Sequence, residues 1–366
     1  MKINTIKINT KSKKYKILIG KNILSNLSNF IKSNKINSNK FLIIHDANVP
    51  YKFIKKIKSK LKNKFFLKKF YSSEKNKNLN QVNKILDYLF KLNFNRNDCI
   101  ISLGGGITGD VVGFAASIYK RGINFINIPT TLLAQVDSSI GGKTGVNNTF
   151  GKNLVGSFYQ PNLVVSDVLA LNSLPKRELM CGYGELLKHS MISEEKVFKY
   201  LNKNYNKILN LKSPFLEKAI FQSCNVKKNI VQKDEKEKNL RKVLNLGHTF
   251  AHAFEATLNY SKNLNHGEAV ILGLRSAIKF SYSKKLINKK KMTLIIEHIN
   301  LINKKLKFKN FFKKKDIPTI IKFMSSDKKN ISSKINLILL KDINSPLLNL
   351  MYAKNDIKKY LNSEFK

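Results

Sequence analysis

Short apolar runs bounded by polar residues alternate with amphipathic stretches through the first half of the chain. KILIG at 16–20, KFLIIHD at 40–46, CIISLGGG at 99–106 and INFINIPT at 123–130 read as strands, and QVNKILDYLF at 81–90 reads as a helix. Strands separated by helices build βαβ units and a mostly parallel sheet. From about Pro175 the apolar spacing changes to 3.6, in RELMCGYGELLKHSMI, in 214–233, in FAHAFEATL and in AVILGLRSAIKF. Only KINLILL at 334–340 reads as a strand there. The expected architecture is therefore an α/β domain over 1–175 followed by a mainly α-helical domain over 176–366, joined at the Leu174-Pro175 step.

Composition narrows this picture. At 366 residues and 42% hydrophobic the chain is too apolar for disorder and long enough for two ordinary domains. Folding at this mass buries about three quarters of the extended surface, enough for a core and a cleft. The formal charge is +45, from 68 Lys+Arg against 23 Asp+Glu. Only five cations are arginines (Arg96, Arg121, Arg177, Arg241, Arg275), and the lysines are scattered along the chain among Asn, Ile and Ser. Base readout and bidentate phosphate capture favour Arg. We read the lysines as a solvated coat and expect no specific nucleic-acid partner. Between 101 and 190 seven Lys/Arg meet five Asp/Glu, and 13 of the 17 glycines lie there. That nearly neutral, glycine-rich segment is where chemistry is expected. No apolar run approaches the roughly 20 residues of a membrane span, and the opening lacks the apolar stretch of a signal peptide. Cys99, Cys181 and Cys224 are odd in number and widely spaced, which suggests neither a disulfide framework nor a cysteine zinc site, and points to the cytoplasm.

Three constellations carry candidate chemistry. Gly104, Gly106 and Gly109 satisfy G-x-G-x-x-G between a strand and an apolar helix, a turn that lets backbone N–H groups approach a diphosphate. A plain glycine turn closing a βα unit has the same residues, and no acid follows about 20 residues on; Asp46, ending KFLIIHD, is an alternative ribose ligand. His248, His252 and His266 fall within 19 residues, the first pair at i, i+4 on one helix face. HTFAH lacks the Glu of the H-E-x-x-H proteases. Glu185 and Lys188 lie at i, i+3 on an otherwise apolar helix, where a carboxylate must be paired or metal-bound. Glu185 with two of the histidines would make a three-ligand zinc site with an open position, and His189 is the rival ligand. Between these lies 129–156, where Asp137, Lys143, Lys152 and Asn153 sit among glycine-rich loops suited to an anionic, polyhydroxylated small molecule. Arg121, in IYKRGINF, stands out in a chain that otherwise uses Lys.

LGGGITGDVVGFAASIYKRGINFINIPTTLLAQVDSSIGGKTGVN, GKNLVGSFYQP, LPKRELMCGYGELLKH, LNLGHTFAHAFE, HGEAV and a late DKK resemble, in order and over essentially the whole chain, the 3-dehydroquinate synthase family of sugar phosphate cyclases. The resemblance implies an N-terminal Rossmann-like domain, a helical C-terminal domain, NAD, a divalent zinc or cobalt ion and a homodimer. It implies conversion of 3-deoxy-D-arabino-heptulosonate 7-phosphate to 3-dehydroquinate and phosphate in the shikimate route to aromatic compounds. By position it implies Glu185, His248 and His266 as metal ligands, with His252 catalytic or phosphate-facing. For NAD it implies Asp46, Asn48, Glu74 and Lys77 at the adenosine half. Gly105, Gly106, Ile107, Thr108, Gly109 and Asp110 fall at the diphosphate and nicotinamide half, with Thr130, Thr131, Lys143 and Lys152. For substrate and catalysis it implies Asp137, Lys143, Lys152, Asn153, Lys188, Lys227, Arg241, Asn245 and Lys328 or Lys329, with Arg121 reaching the neighbouring subunit's substrate phosphate. The chain departs from the family's usual pattern at Ser72-Ser73 and at Ala251. Other sugar phosphate cyclases and metal-dependent polyol dehydrogenases are the nearest rival readings; the latter release NADH.

Overall fold

The computed structural model describes residues 2–59, 61, 64–325 and 334–365. It divides into two compact units, Met1–Gly182 with Asn210–Lys236, and Tyr183–Leu209 with Glu237–Lys366. In the first unit β1 (Asn4–Asn9) and β2 (Lys14–Gly20) form an antiparallel hairpin. They are followed by α1 (Leu27–Ser33), β3 (Lys40–Asp46), α2 (Tyr51–Lys58), β4 (Lys64–Phe70), α3 (Leu79–Lys91), β5 (Cys99–Gly104), α4 (Gly106–Ile118) and β6 (Asn124–Pro129). A second hairpin, β7 (Lys143–Asn148) and β8 (Gly151–Phe158), precedes β9 (Leu163–Asp167) and α5 (Lys176–Met191), which begins in this unit and ends in the other. α6 (Glu195–Leu209) belongs to the second unit and α7 (Phe215–Lys233) to the first.

The main sheet runs β1-β2-β9-β6-β5-β3-β4 and is parallel from β2 to β4. Both faces are covered, which is why the central strands are apolar throughout instead of alternating. Phe41, Ile43, Ile101 and Leu103 pack with Phe53, Ile54 and Ile57 of α2 on one face. Leu42, Ile44 and Ile100 pack with Val82, Ile85, Val111 and Val112 of α3 and α4 on the other. The runs read as strands in the sequence are β2, β3, β5 and β6. β1 and β4 escape that reading because they are the two edges of the sheet, and edge strands carry lysines such as those of KFFLKKF. The segment read as glycine-rich loops holds a hairpin: Lys143 opens β7, and Lys152 and Asn153 lie on β8.

The change of unit falls inside α5, at Gly182/Tyr183, and not at 175/176. α7, grouped by its helical periodicity with the second domain, packs instead on β1 and β2. It buries Leu216, Ala219, Ile220 and Cys224 and ties back through the Asn9 N–H donating to Gln232 Oε1 at 2.9 Å. Periodicity identifies a helix but not the surface it covers.

The second unit adds α8 (His248–Thr257), α9 (His266–Ser283), α10 (Lys289–Ile302), α11 (Ile317–Ser325) and α12 (Lys354–Ser363). An antiparallel hairpin, β10 (Lys334–Asp342) with β11 (Ser345–Ala353), accompanies them, so the strand read at 334–340 has a partner that the sequence reading missed. α9 is its axis, buried on nearly every side and packed by α8, α10 and β10. Phe250 of α8 meets Phe280 and Tyr360 edge-on, and Phe254 packs at a tilt against Phe308 and Phe312. No helix among the described residues is long and apolar enough to cross a membrane.

Candidate active site

In the first unit the chain leaves β3 outward to β4, then returns to β5 and proceeds the other way to β6 and β9. The crevice beyond the carboxyl ends of β3 and β5 is thus a topological switch point, where sheets of this kind take nucleotides. Asp46 ends β3 there, and Gly104 ends the adjacent β5. Asp46 is nearly buried, and its Oδ1 accepts from Asn48 N–H at 2.9 Å and Nδ2 at 3.2 Å, a turn that pins the carboxylate. Gly105 is the N-cap of α4 and contributes no side-chain hydrogen bond, so no capping side chain covers the first-turn N–H groups. Thr108 and Gly109 are buried beneath this turn, which leaves the backbone as their means of contact; Ile107 is half-buried. Thr130 N–H donates to Gly104 O at 2.9 Å and Thr131 Oγ1 accepts from Ala134 N–H at 3.1 Å, fixing the end of β6 beside the glycines.

Lys77, which no local motif marked, is the hub of this half. It is 6% exposed, and its ammonium donates to Asp110 Oδ2 at 2.6 Å and to Asn153 Oδ1 at 2.5 Å. Burial raises the Asp110 pKa and Lys77 opposes that rise. Glu74 Oε2 accepts from Asn147 Nδ2 at 2.8 Å, and Lys152 lies 4.0 Å from its other oxygen. Asp137 sits on a short π-type turn, and Lys227 of α7 donates to its backbone O at 2.6 Å and its Oδ1 at 2.7 Å. Arg121 is exposed on a turn in which Lys120, Arg121 and Gly122 have φ of 47°, 63° and 121°.

In the second unit Glu185 of α5, His248 at the first residue of α8 and His266 at the first residue of α9 converge, with one ligand atom of each within 4.8 Å of the others. Local sequence explains each placement. Gly184 lets α5 lie against α9, since a Cβ there would meet Ile271 Cγ1 at 3.0 Å and Gly267 O at 3.3 Å. Gly247 starts α8 at φ +77°, and its missing Cβ would stand 2.8 Å from Leu274 N. Asn265 and Glu268 form a reciprocal capping box that starts α9 at His266. Glu185 is buried, ion-paired with Lys188, and its Oε1 lies 3.6 Å from His248 Nε2. A backbone carbonyl only accepts, so His248 Nδ1, 3.2 Å from Leu246 O, carries the proton and Nε2 keeps its lone pair. Burial, then Lys188 and the other two histidines, hold the His248 pKa well below 6.5, so the ring is neutral. Two imidazoles and a carboxylate, two of the three buried or nearly so and His266 42% exposed, are a donor set that fits zinc or cobalt with an open position.

His252 shares its face with His248, ring centroids 5.4 Å apart, but lies outside the cluster of Glu185, His248 and His266. His189 is fully buried, 3.9 Å from Glu185 Oε2. Arg241 is buried and Asn245 Nδ2 donates to Glu237 Oε1 at 3.0 Å, both on a 3-10 segment, Leu240–Asn245. Lys328 and Lys329 lie outside the described residues. Glu237 and Glu255 were not read from the sequence. Glu255 had a signal: 248, 252 and 255 form one stripe of a helix.

A doubly wound unit with an open glycine turn at its switch point, and a helical unit with a Glu-His-His cluster, define a nucleotide- and metal-dependent class of enzyme fold. Within it, the chain belongs to the 3-dehydroquinate synthase family. Residues 68–181 match the family's N-terminal profile and 182–330 its C-terminal one. The chain is 57% identical over 360 residues, 98% of each partner, to a 3-dehydroquinate synthase of Pelagibacter ubique. It is 42% identical over 318 residues, 87% of the chain and 88% of the relative, to that of Campylobacter concisus. Among solved structures, 2-deoxy-scyllo-inosose synthase complexed with carbaglucose-6-phosphate, NAD+ and Co2+ aligns at TM-score 0.87 and 26% identity, over 98% of this chain and 100% of that one. A 2-epi-5-epi-valiolone synthase from Streptomyces hygroscopicus, with NAD+ and Zn2+ bound, shares the fold at TM-score 0.84, 22% identity and 98% of both chains.

Proposed function

We propose that the chain converts 3-deoxy-D-arabino-heptulosonate 7-phosphate to 3-dehydroquinate and phosphate. The observation that carries this is the Glu185–His248–His266 cluster, in a chain 57% identical along 98% of its length to an enzyme of that name. Phosphate leaves by β-elimination only when a neighbouring C–H is made acidic by a carbonyl, so an alcohol is oxidised first and reduced again afterwards. A bound divalent metal would supply polarisation of that alcohol, and bound NAD a reversible hydride acceptor. Glu185, His248 and His266 hold the metal. Asp46, Asn48, Glu74 and Lys77 hold the adenosine half of NAD, and the first turn of α4 at Gly105–Asp110 its diphosphate, with Thr130 and Thr131 beside it.

Asp137, Lys143, Lys152, Asn153, Lys188, Lys227, Arg241, Asn245 and Lys328 fix the substrate's carboxylate, hydroxyls and phosphate, holding one conformer so that ring closure follows from proximity. His252 faces the phosphate. Arg121 completes the site of a partner copy in a homodimer; its exposure on a left-handed turn supports this. Cys99, Cys181 and Cys224 are buried and outside any disulfide among the described residues, which supports a reducing cytoplasm. The test is phosphate release from the heptulosonate 7-phosphate with catalytic NAD and zinc or cobalt, beside glucose 6-phosphate as a competing cyclase substrate. One phosphate per heptulosonate, without NADH accumulation, is expected. Steady NADH accumulation or preference for glucose 6-phosphate would refute the assignment.

A further inference from the structure

We infer that Glu255 is a positioning residue that locks His266 in its metal-binding tautomer and orientation. This rests on the reading of Glu185, His248 and His266 as metal ligands. The two histidines are held in different ways. His248 is largely enclosed, at 13% side-chain exposure, and is backed by the neutral Leu246 carbonyl. His266 is 42% exposed at the first residue of α9, so burial does little to fix its ring. Its Nδ1 lies 3.0 Å from Oε2 of Glu255, whose side chain is 8% exposed on α8. A carboxylate only accepts, so the His266 proton is on Nδ1 and Nε2 presents its lone pair, the same tautomer that Leu246 imposes on His248. Glu255 therefore supplies from the neighbouring helix the restraint that solvent exposure withholds.

The carboxylate does more than orient. An anion behind the imidazole makes Nε2 a stronger donor than a neutral acceptor would. It also adds a negative charge beside the cluster, where that of Glu185 is already paired with Lys188, and a bound dication would offset it.

The test titrates zinc into metal-free wild type, Glu255→Gln and Glu255→Ala in competition with a chromophoric chelator, and records the melting of each metal-free protein. Glu255→Ala is expected to weaken zinc by about 10- to 100-fold, and Glu255→Gln, which keeps an acceptor but loses the charge, by less. Saturating zinc should restore much of the turnover in both, because Glu255 acts through the metal. If Glu255→Ala does not fold, the Gln variant decides. Equal zinc affinity in all folded proteins, with only lower melting temperatures in the variants, would overturn the inference and leave Glu255 a packing residue. Failure of the wild type to take up either zinc or cobalt would instead overturn the ligand reading, a result distinct from the first because it precedes any substitution.

Discussion

Replacing Lys77 by Met should expose how the nucleotide half of the site is held together. The Lys77 ammonium is 2.6 Å from Asp110, with side-chain exposures of 7% and 21%. At an effective dielectric constant of about 20 the attraction at this distance is about 6 kcal/mol, most of it offset by removing the two charges from water. Removing one partner of such a pair costs about 3–5 kcal/mol, because the other remains buried and charged or must take up a proton. The 21% exposure of Asp110 places the expected cost of Lys77→Met at the lower end, about 3 kcal/mol. With Asp110→Asn already present the carboxylate penalty is gone, and the same substitution should cost about 1 kcal/mol, a coupling of about 2 kcal/mol. Asn153 also loses a donor, but it lies on an exposed part of β8 and water replaces the bond. Urea unfolding of the four proteins, followed by circular dichroism and tyrosine fluorescence in a chain without Trp, measures the cycle. A coupling below about 0.5 kcal/mol would refute the reasoning and make Lys77 a packing residue with an incidental charge. NAD affinity should fall in Lys77→Met and not recover in the double variant, since Lys77 and Asp110 both belong to the proposed cofactor site.

His298 gives a pH prediction unrelated to the metal. It is fully buried between Tyr183, whose hydroxyl donates to Nε2 at 3.0 Å, and Asn202 Oδ1, 2.7 Å from Nδ1. Desolvation lowers its pKa from 6.5 to about 4. The unfolded chain then binds the extra proton between those values, so this contribution is intact above pH 6.5 and is lost as pH falls toward 4; at pH 5 the loss is about 2 kcal/mol. His298→Gln should therefore lose less stability than wild type between pH 7.5 and 5 in urea titrations, and parallel curves would remove His298 as the cause. Asp46 at the end of β3 should make NAD a far better activator than NADP, whose 2′-phosphate would meet the carboxylate; equal activation would remove Asp46 from the ribose role. Co-assembly of Arg121→Ala with His248→Ala should restore one working site per dimer, and verified heterodimers without activity would exclude action in trans.

Wherever a segment's own residues settle its state, the structure agrees with the linear reading. The unbroken apolar runs of β3 and β5, the glycine turn opening α4, and the stripe beginning at His248 are local consequences of burial and of backbone freedom. What local patterning leaves open is which surfaces meet. The i, i+4 spacing pairs His248 with His252, yet the structure gathers His266 in place of His252 with Glu185 and His248, because α5 and α9 approach closely at Gly184 and Gly267 and bring Glu185 to the start of α9. Glu255 acquires its partner from another helix, and Lys77 finds Asp110 and Asn153 on two other elements. α7 has the period of any amphipathic helix, and only its packing on β1 and β2 assigns it to the first unit. Hydrophobic period encodes that a face will be buried; the crossing of helices and the order of strands, which depend on contacts distant in sequence, determine what it is buried against.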